Sequence, residues 1–245
     1  MSRISAPTFA PRLVSVRDES PAVRTFRFAS PPGFSFVPGQ FVLFHFEDDP
    51  KTWRAYSICS SPACAPEWFE VTVGMVGPFS DRLGALTPGG EHGLAARGPF
   101  GRWTYDGSPE HAVLVAGGTG VAPLRAMILF KVDRALPGKI TLVCSARVPS
   151  ALLYRAEHDT WRRAGVTVHA TVTRPESAPD ERWDGPVGRI DAARLRRVVA
   201  DFDRAVFYLC GPGRMIADLR AALAAEGVPP GRLRFESWGD YADLI

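Results

Sequence analysis

Cysteine is scarce in this chain, neither sign of charge is in large excess, and no apolar stretch approaches the ~20 residues needed to cross a bilayer. The 4 cysteines are Cys59, Cys64, Cys144 and Cys210. They form no Cys-x-x-Cys pair, and none of the 5 histidines stands at a zinc-site interval from them. A zinc or iron–sulfur centre with ligands close in sequence is therefore excluded, and no metal is expected. So few cysteines in 245 residues also argue against a disulfide framework, so the thiols are expected to be reduced. With 29 basic against 26 acidic side chains the net charge is only +3, too balanced for the basic stripe of a nucleic-acid protein. Met1 to Ala10 has no apolar core of secretory-signal length. These absences point to a cytoplasmic protein with no transmembrane segment.

What is present suits two domains of ordinary size, each burying its own core. The first hundred residues read as short strands with Gly/Pro punctuation. Leu13–Val16, Val23–Phe28, Phe41–Phe44 and Phe69–Val73 are rich in β-branched and aromatic residues, and Pro-Gly pairs recur at Pro32-Gly33, Pro38-Gly39 and Pro88-Gly89. Evenly spaced short strands favour a small antiparallel barrel. The character changes at the turn-rich stretch Tyr105 to Pro109. Beyond it strands alternate with helices: strands at Ala112–Ala116, Ile140–Cys144, Val166–Thr173 and Ala205–Leu209, helices after Pro123, over Leu152–Trp161 and over Met215–Glu226. That alternation implies a parallel sheet with right-handed crossovers. The expected architecture is an antiparallel β-barrel domain over 1–105, followed by an α/β parallel-sheet nucleotide-binding domain over 106–245.

Three elements in this frame carry chemistry. Arg54-Ala55-Tyr56-Ser57 sits on a strand, where Arg54 and Tyr56 share one face and Ala55 and Ser57 the other. It offers what a flavin needs: an aromatic surface, a cation for a pyrophosphate and a hydroxyl; taken alone, such a tetrapeptide in an edge strand is more often surface decoration. Gly77-Pro78-Phe79-Ser80 precedes a short helix, with Ser80 as its expected N-cap, and reads either as a plain capped turn or as a phosphate site. Gly117-Gly118-Thr119-Gly120 ends one apolar strand and opens a helix, so a pyrophosphate can approach the backbone there. The third glycine of the dinucleotide fingerprint is replaced by Pro123, which departs from an ordinary dehydrogenase.

Taken with Pro38-Gly39-Gln40-Phe41, Gly98-Pro99-Phe100-Gly101, Cys210-Gly211-Pro212 and Phe235-Glu236, these elements make the chain resemble the ferredoxin–NADP reductase superfamily over nearly its whole length. The resemblance implies a flavoenzyme that moves a hydride from NADPH to FAD and delivers electrons to an iron–sulfur or flavin protein, of ferredoxin, flavodoxin or oxygenase type. It assigns Arg54, Ala55, Tyr56, Ser57, Val71, Val73, Gly77, Phe79 and Ser80 to FAD, with Gly77–Ser80 at its pyrophosphate. Gly118, Thr119, Gly120, Pro123, Thr173, Gly211 and Pro212 go to the nicotinamide nucleotide, and Ser57, Cys210 and Glu236 to a catalytic group. Trp238 takes the place of a terminal aromatic that stacks on the flavin, with Tyr241 as its competitor.

The strand Ile140–Cys144 runs on to Ser145-Ala146-Arg147 with no acid before Glu157, where an NAD site tends to put one. Arg147, Arg174 and Arg189 resemble arginines that hold a 2′-phosphate, against the reading of plain surface residues in a chain with 26 arginines and 3 lysines. NADP(H) is the expected nucleotide. Two other roles stay open on sequence: an electron-transfer subunit of a larger redox complex, and a small-molecule flavin or ferric reductase.

Overall fold

The computed structural model describes residues 8–238, Trp238 by its backbone alone. The first half contains strands β1 (Thr8–Phe9), β2 (Arg12–Ser20), β3 (Val23–Ala29), β4 (Phe41–Phe46), β5 (Asp49–Ser57), β6 (Trp68–Gly74) and β7 (Leu94–Phe100), with the short helix α1 (Pro78–Gly84). They form two antiparallel sheets, ordered β1-β7-β4-β5 and β2-β3-β6. The bridge Ile58↔Val71 and the bond from Cys59 N–H to the Glu70 carbonyl join the sheets at one corner. Period-two alternation turns Phe26, Phe28, Phe44, Phe46, Phe69 and Val71 inward onto one core, giving a small barrel.

The second half runs β8 (His111–Gly117), α2 (Val121–Asp133), β9 (Lys139–Ala146), α3 (His158–Arg163), β10 (Thr167–Val172), α4 (Ala192–Val198), β11 (Val206–Pro212), α5 (Gly213–Ala225) and β12 (Leu233–Trp238). All five strands are parallel, ordered β10-β9-β8-β11-β12. Every residue of β8 is buried, because helices cover both faces of the sheet, each above its own core. The strand order reverses between β8 and β11, which opens a crevice at their carboxyl ends.

Two local expectations need correction. Leu152–Trp161 is not one helix. Short 3₁₀ turns cover Pro149–Ala151 and Arg155–Glu157, Tyr154 between them is left-handed (φ 55°, ψ 24°), and the α-helix starts only at His158. Ser80 is not the N-cap of α1. Pro78 takes the first helical position, where its missing N–H costs nothing, so the cap moves back to Gly77. The Ser80 hydroxyl then reaches back, accepting from the N–H groups of Val76 and Gly77 and donating to the Gly77 carbonyl. Tyr105, the last residue of the first half as divided on sequence, is buried in the core of the second, edge-on to Phe130 and Tyr208.

Candidate active site

A small cleft lies where the barrel meets the switch point of the parallel sheet. Its walls are the end of β5 (Ala55, Tyr56, Ser57), Thr72 of β6, the loop and first turn before and in α2 (Thr119, Ala122, Pro123), Cys210 of β11, and Glu236 and Ser237 of β12. Ser57, Cys210 and Glu236 are far apart in sequence and share this one space. Parallel pairing sets Cys210 directly beside Glu236, while antiparallel pairing with β4 fixes Ser57 opposite Phe41 at the edge of the barrel sheet.

Burial controls the charge of this group. Desolvation lifts the Glu236 carboxyl from an ordinary 4.5 to about 7, and its Oε2 is buried with no hydrogen-bond partner among the described residues. Desolvation, reinforced by the neighbouring Glu236, pushes the Cys210 thiol well above its usual range. At neutral pH the cysteine is therefore a neutral thiol and no nucleophile. Tyr56, half-buried and packed near Phe44 and Phe79, is pushed by desolvation up to about 12, opposed by nearby Arg54. Its ring is neutral and presents an aromatic wall. Arg54 is exposed, donates to the Trp53 carbonyl and lies 5.9 Å from the Phe79 ring.

The glycine-rich loop is open at Gly118 and closely packed at Gly120. Gly118 takes φ +55°, and a Cβ there would meet nothing within 4 Å, so the space beside its Cα is open. A side chain at Gly120 would collide with the Cys210 carbonyl; only glycine lets the loop settle against β11. Gly211 packs on Gly117 at the same end of the sheet, and Pro212 is exposed beside it. Gly77 likewise has open space above its Cα. An unpartnered acid, an aromatic wall and two open glycine turns fit a flavin and a nicotinamide nucleotide meeting at this cleft.

Arg147 follows β9 and Arg174 follows β10, and the Arg174 N–H donates to the Arg147 carbonyl. Thr173 bonds the Ala146 carbonyl through both its amide and its hydroxyl. Arg189 follows the Val172↔Val187 bridge. All three arginines are exposed and form no ion pair with another described residue. Val71 and Val73 differ from expectation: both side chains are closed inside the barrel core. Alternation along β6 gives the cleft to Thr72 instead. The side chain of Trp238, and the whole of Tyr241, lie outside the described residues. Sequence reasoning missed Thr72, Ala122 and Ser237. For Thr72 the signal was legible, since polar residues at 70 and 72 alternate with Phe69, Val71 and Val73.

An antiparallel barrel joined at a cleft to a 3-2-1-4-5 parallel sheet defines a two-domain flavin- and nicotinamide-nucleotide-dependent oxidoreductase. Residues 11–105 match the oxidoreductase FAD-binding domain family and residues 114–221 the oxidoreductase NAD-binding domain family. The chain is 34% identical to ferredoxin–NADP reductase B of Sorangium cellulosum, over 96% of its own length and 99% of that protein's. It is 32% identical to the glycine betaine monooxygenase reductase subunit of Chromohalobacter salexigens over 93% of its length, but spans 63% of that relative. The fold is shared with the ferredoxin reductase in carbazole 1,9a-dioxygenase (TM-score 0.81, 22% identity, 98% of this chain and 71% of that one). It is shared equally with a ferredoxin NADP+ reductase from Neisseria gonorrhoeae with bound FAD and NADP (TM-score 0.80, 18% identity, 95% and 99%). The chain belongs to the ferredoxin–NADP reductase family. Among the described residues no helix is long and apolar enough to cross a membrane.

Proposed function

We propose that this chain oxidises NADPH at a bound FAD and supplies electrons to an iron–sulfur or flavin protein, of the ferredoxin, flavodoxin or oxygenase-component type. The observation that carries this reading is the convergence of Ser57, Thr119, Cys210 and Glu236 on one cleft between the two halves. When bound, the nucleotide supplies a hydride and FAD takes it as a pair and can release electrons singly.

The chain's own residues hold, orient and exclude. Arg54, Tyr56, Phe79 and the Gly77–Ser80 turn hold the flavin, while Gly118–Gly120 and the start of α2 hold the nucleotide pyrophosphate, with Thr173, Gly211 and Pro212 beside it. Ser57 offers a hydroxyl at the cleft. The neutral Cys210 thiol fills the space beside Glu236 and orients what enters it by shape and contact. Glu236, half protonated near neutral pH, holds a proton at a carboxylate that no described side chain satisfies.

Arg147, Arg174 and Arg189 are the proposed 2′-phosphate cations, being exposed and uncommitted. Glu157, the first acid after β9, is engaged by Arg125 at 2.9 Å and so is not free for a ribose hydroxyl. The four unpaired cysteines support a reducing, cytoplasmic setting, and 105/106 is the proposed division between the two domains. The relative named as a monooxygenase reductase subunit favours an oxygenase component as one acceptor.

The test is direct. The purified protein should carry FAD, identified by chromatography of the released flavin, and should reduce ferricyanide faster with NADPH than with NADH. FMN as the sole flavin, or a preference for NADH, overturns the corresponding part.

A further inference from the structure

The two halves are joined by a buried polar contact away from the glycine turns. Arg125, on the second turn of α2, is 7% exposed and sits in the otherwise apolar run Val121–Ile128. Its Nη1 donates across the boundary to the Cys59 carbonyl at 2.8 Å and to Glu70 Oε2 at 3.0 Å. Its Nε holds Glu157 in its own half at 2.9 Å, and the guanidinium lies 4.9 Å from the Tyr154 ring centroid. At the far end of α2, Asp133 accepts a hydrogen bond from Ser61 of the barrel. Helix α2 is thus pinned to the barrel at both ends.

Tyr154 makes the second crossing. Its hydroxyl lies 2.5 Å from Thr72 Oγ1, in the wall of the cleft. Thr72 Oγ1 also meets Thr25 Oγ1 at 2.7 Å and Cys59 Sγ at 3.3 Å. The direction of these bonds follows from the end of the chain. Thr25 donates to the Glu19 carboxylate, so Thr25 must accept from Thr72, and Thr72 must accept from Tyr154 and Cys59. One donor and two acceptor sites are all a hydroxyl has. Thr72 Oγ1 is therefore saturated and has no bond left for anything in the cleft. Tyr154 is also one of two non-glycine residues with positive φ among the described residues, a conformation retained where the surroundings over-determine it.

The geometry points to Arg125 and Tyr154 as positioning residues for hydride transfer: they latch the nucleotide-binding half to the barrel, and so fix Thr119–Pro123 across the cleft from Ser57 and Thr72. This rests on the functional reading above. Arg125 follows the glycine loop within two turns of one rigid helix, so a shift of α2 moves the loop with it. The barrier depends steeply on placement, and a 1 Å error costs on the order of a hundredfold in rate. The latch therefore acts on the limiting rate, not on affinity.

The experiment compares FAD-loaded wild type with Tyr154→Phe, Arg125→Met and Arg125→Lys. Stopped-flow reduction by NADPH gives a limiting rate and a Kd separately, and amide exchange without NADPH reads residues 118–133 and 149–163. Tyr154→Phe and Arg125→Met should lower the limiting rate roughly tenfold to a hundredfold, with Kd changed less than about threefold, FAD retained, and exchange faster in both segments. Arg125→Lys should recover part of the rate, since it keeps the charge but cannot reach all three partners. If Arg125→Met fails to accumulate with FAD, Tyr154→Phe, which loses a single oxygen, carries the test. A wild-type limiting rate in Tyr154→Phe, with or without lowered stability, overturns the proposal. If NADPH does not reduce the wild type, the functional reading fails instead. The exchange comparison then decides the latch alone: faster exchange supports it and unchanged exchange overturns it.

Discussion

Replacing Glu236 with glutamine should change how the protein's stability depends on pH, with a size and sign that follow from the site. The carboxyl is shifted from 4.5 to about 7 by desolvation. Its ionisation is therefore less favourable in the folded protein than in the unfolded chain by about 3 kcal/mol. A raised folded pKa means that the folded state binds the proton more tightly, so the contribution is fully present below pH 4.5 and is lost as pH rises toward 7. Glu236→Gln cannot ionise and lacks this dependence. Any constant offset from the amide cancels when each protein is compared with itself across pH. Between pH 5 and pH 8 the mutant should gain on wild type by about 2–3 kcal/mol. Urea unfolding at saturating FAD, followed by circular dichroism across this range, measures it. Stability curves that run parallel would show that Glu236 titrates normally and that its buried oxygen is solvated or partnered.

Other residues give sharper local tests. Arg174→Ala should raise the KM for NADPH about ten- to hundredfold, the value of a ~1.5–3 kcal/mol charge-assisted contact, and leave NADH nearly unchanged; equal losses would show that Arg174 does not read the phosphate. Cys210→Ala should slow flavin reduction more than it weakens nucleotide binding, and Ser57→Ala should do likewise. Their double mutant should lose less than the sum if both act on one alignment, whereas strict additivity separates them. Gly120→Ala forces a methyl group against the Cys210 carbonyl and should cost about 1–3 kcal/mol along with NADPH affinity; a protein of wild-type stability and affinity would mean that the loop does not rest on β11. Arg125→Met takes the 3.0 Å partner from Glu70 Oε2 but leaves Arg27 on Oε1 at 2.8 Å, so it should destabilise by about 1–3 kcal/mol in thermal or urea unfolding.

Much of this was legible in the sequence because it is periodic or local. Alternation at Val23–Phe28 and Phe69–Val73 marks strands that turn one face onto the barrel core, and the continuous run Ala112–Ala116 marks a strand covered on both faces. The Gly118-Thr119-Gly120 turn and Pro123 mark the helix start and fall where the sheet order reverses. What the sequence hid is long-range. Arg125 and Glu70 are 55 residues apart and Thr72 and Tyr154 82 apart, and no spacing rule links them. The helical pattern over Leu152–Trp161 is overridden because Tyr154 takes a left-handed turn and reaches across to the barrel. Val71 and Val73 were assigned by resemblance along a strand whose alternation, followed strictly, would have put them in the core and Thr72 in the cleft. Ser80 has the chemistry of an N-cap, but Pro78 is the stronger constraint and moves the cap to Gly77.

Under the proposed function, a hydride passes from NADPH to FAD in the cleft between Ser57 and Cys210. Anaerobic mixing of the FAD-loaded protein with NADPH, followed at the flavin absorbance, tests it most directly. Complete bleaching is expected in a single-exponential phase that slows when the transferred hydrogen of NADPH is replaced by deuterium. Flavin that stays oxidised in the presence of excess NADPH, in protein shown to hold FAD stoichiometrically, would contradict it.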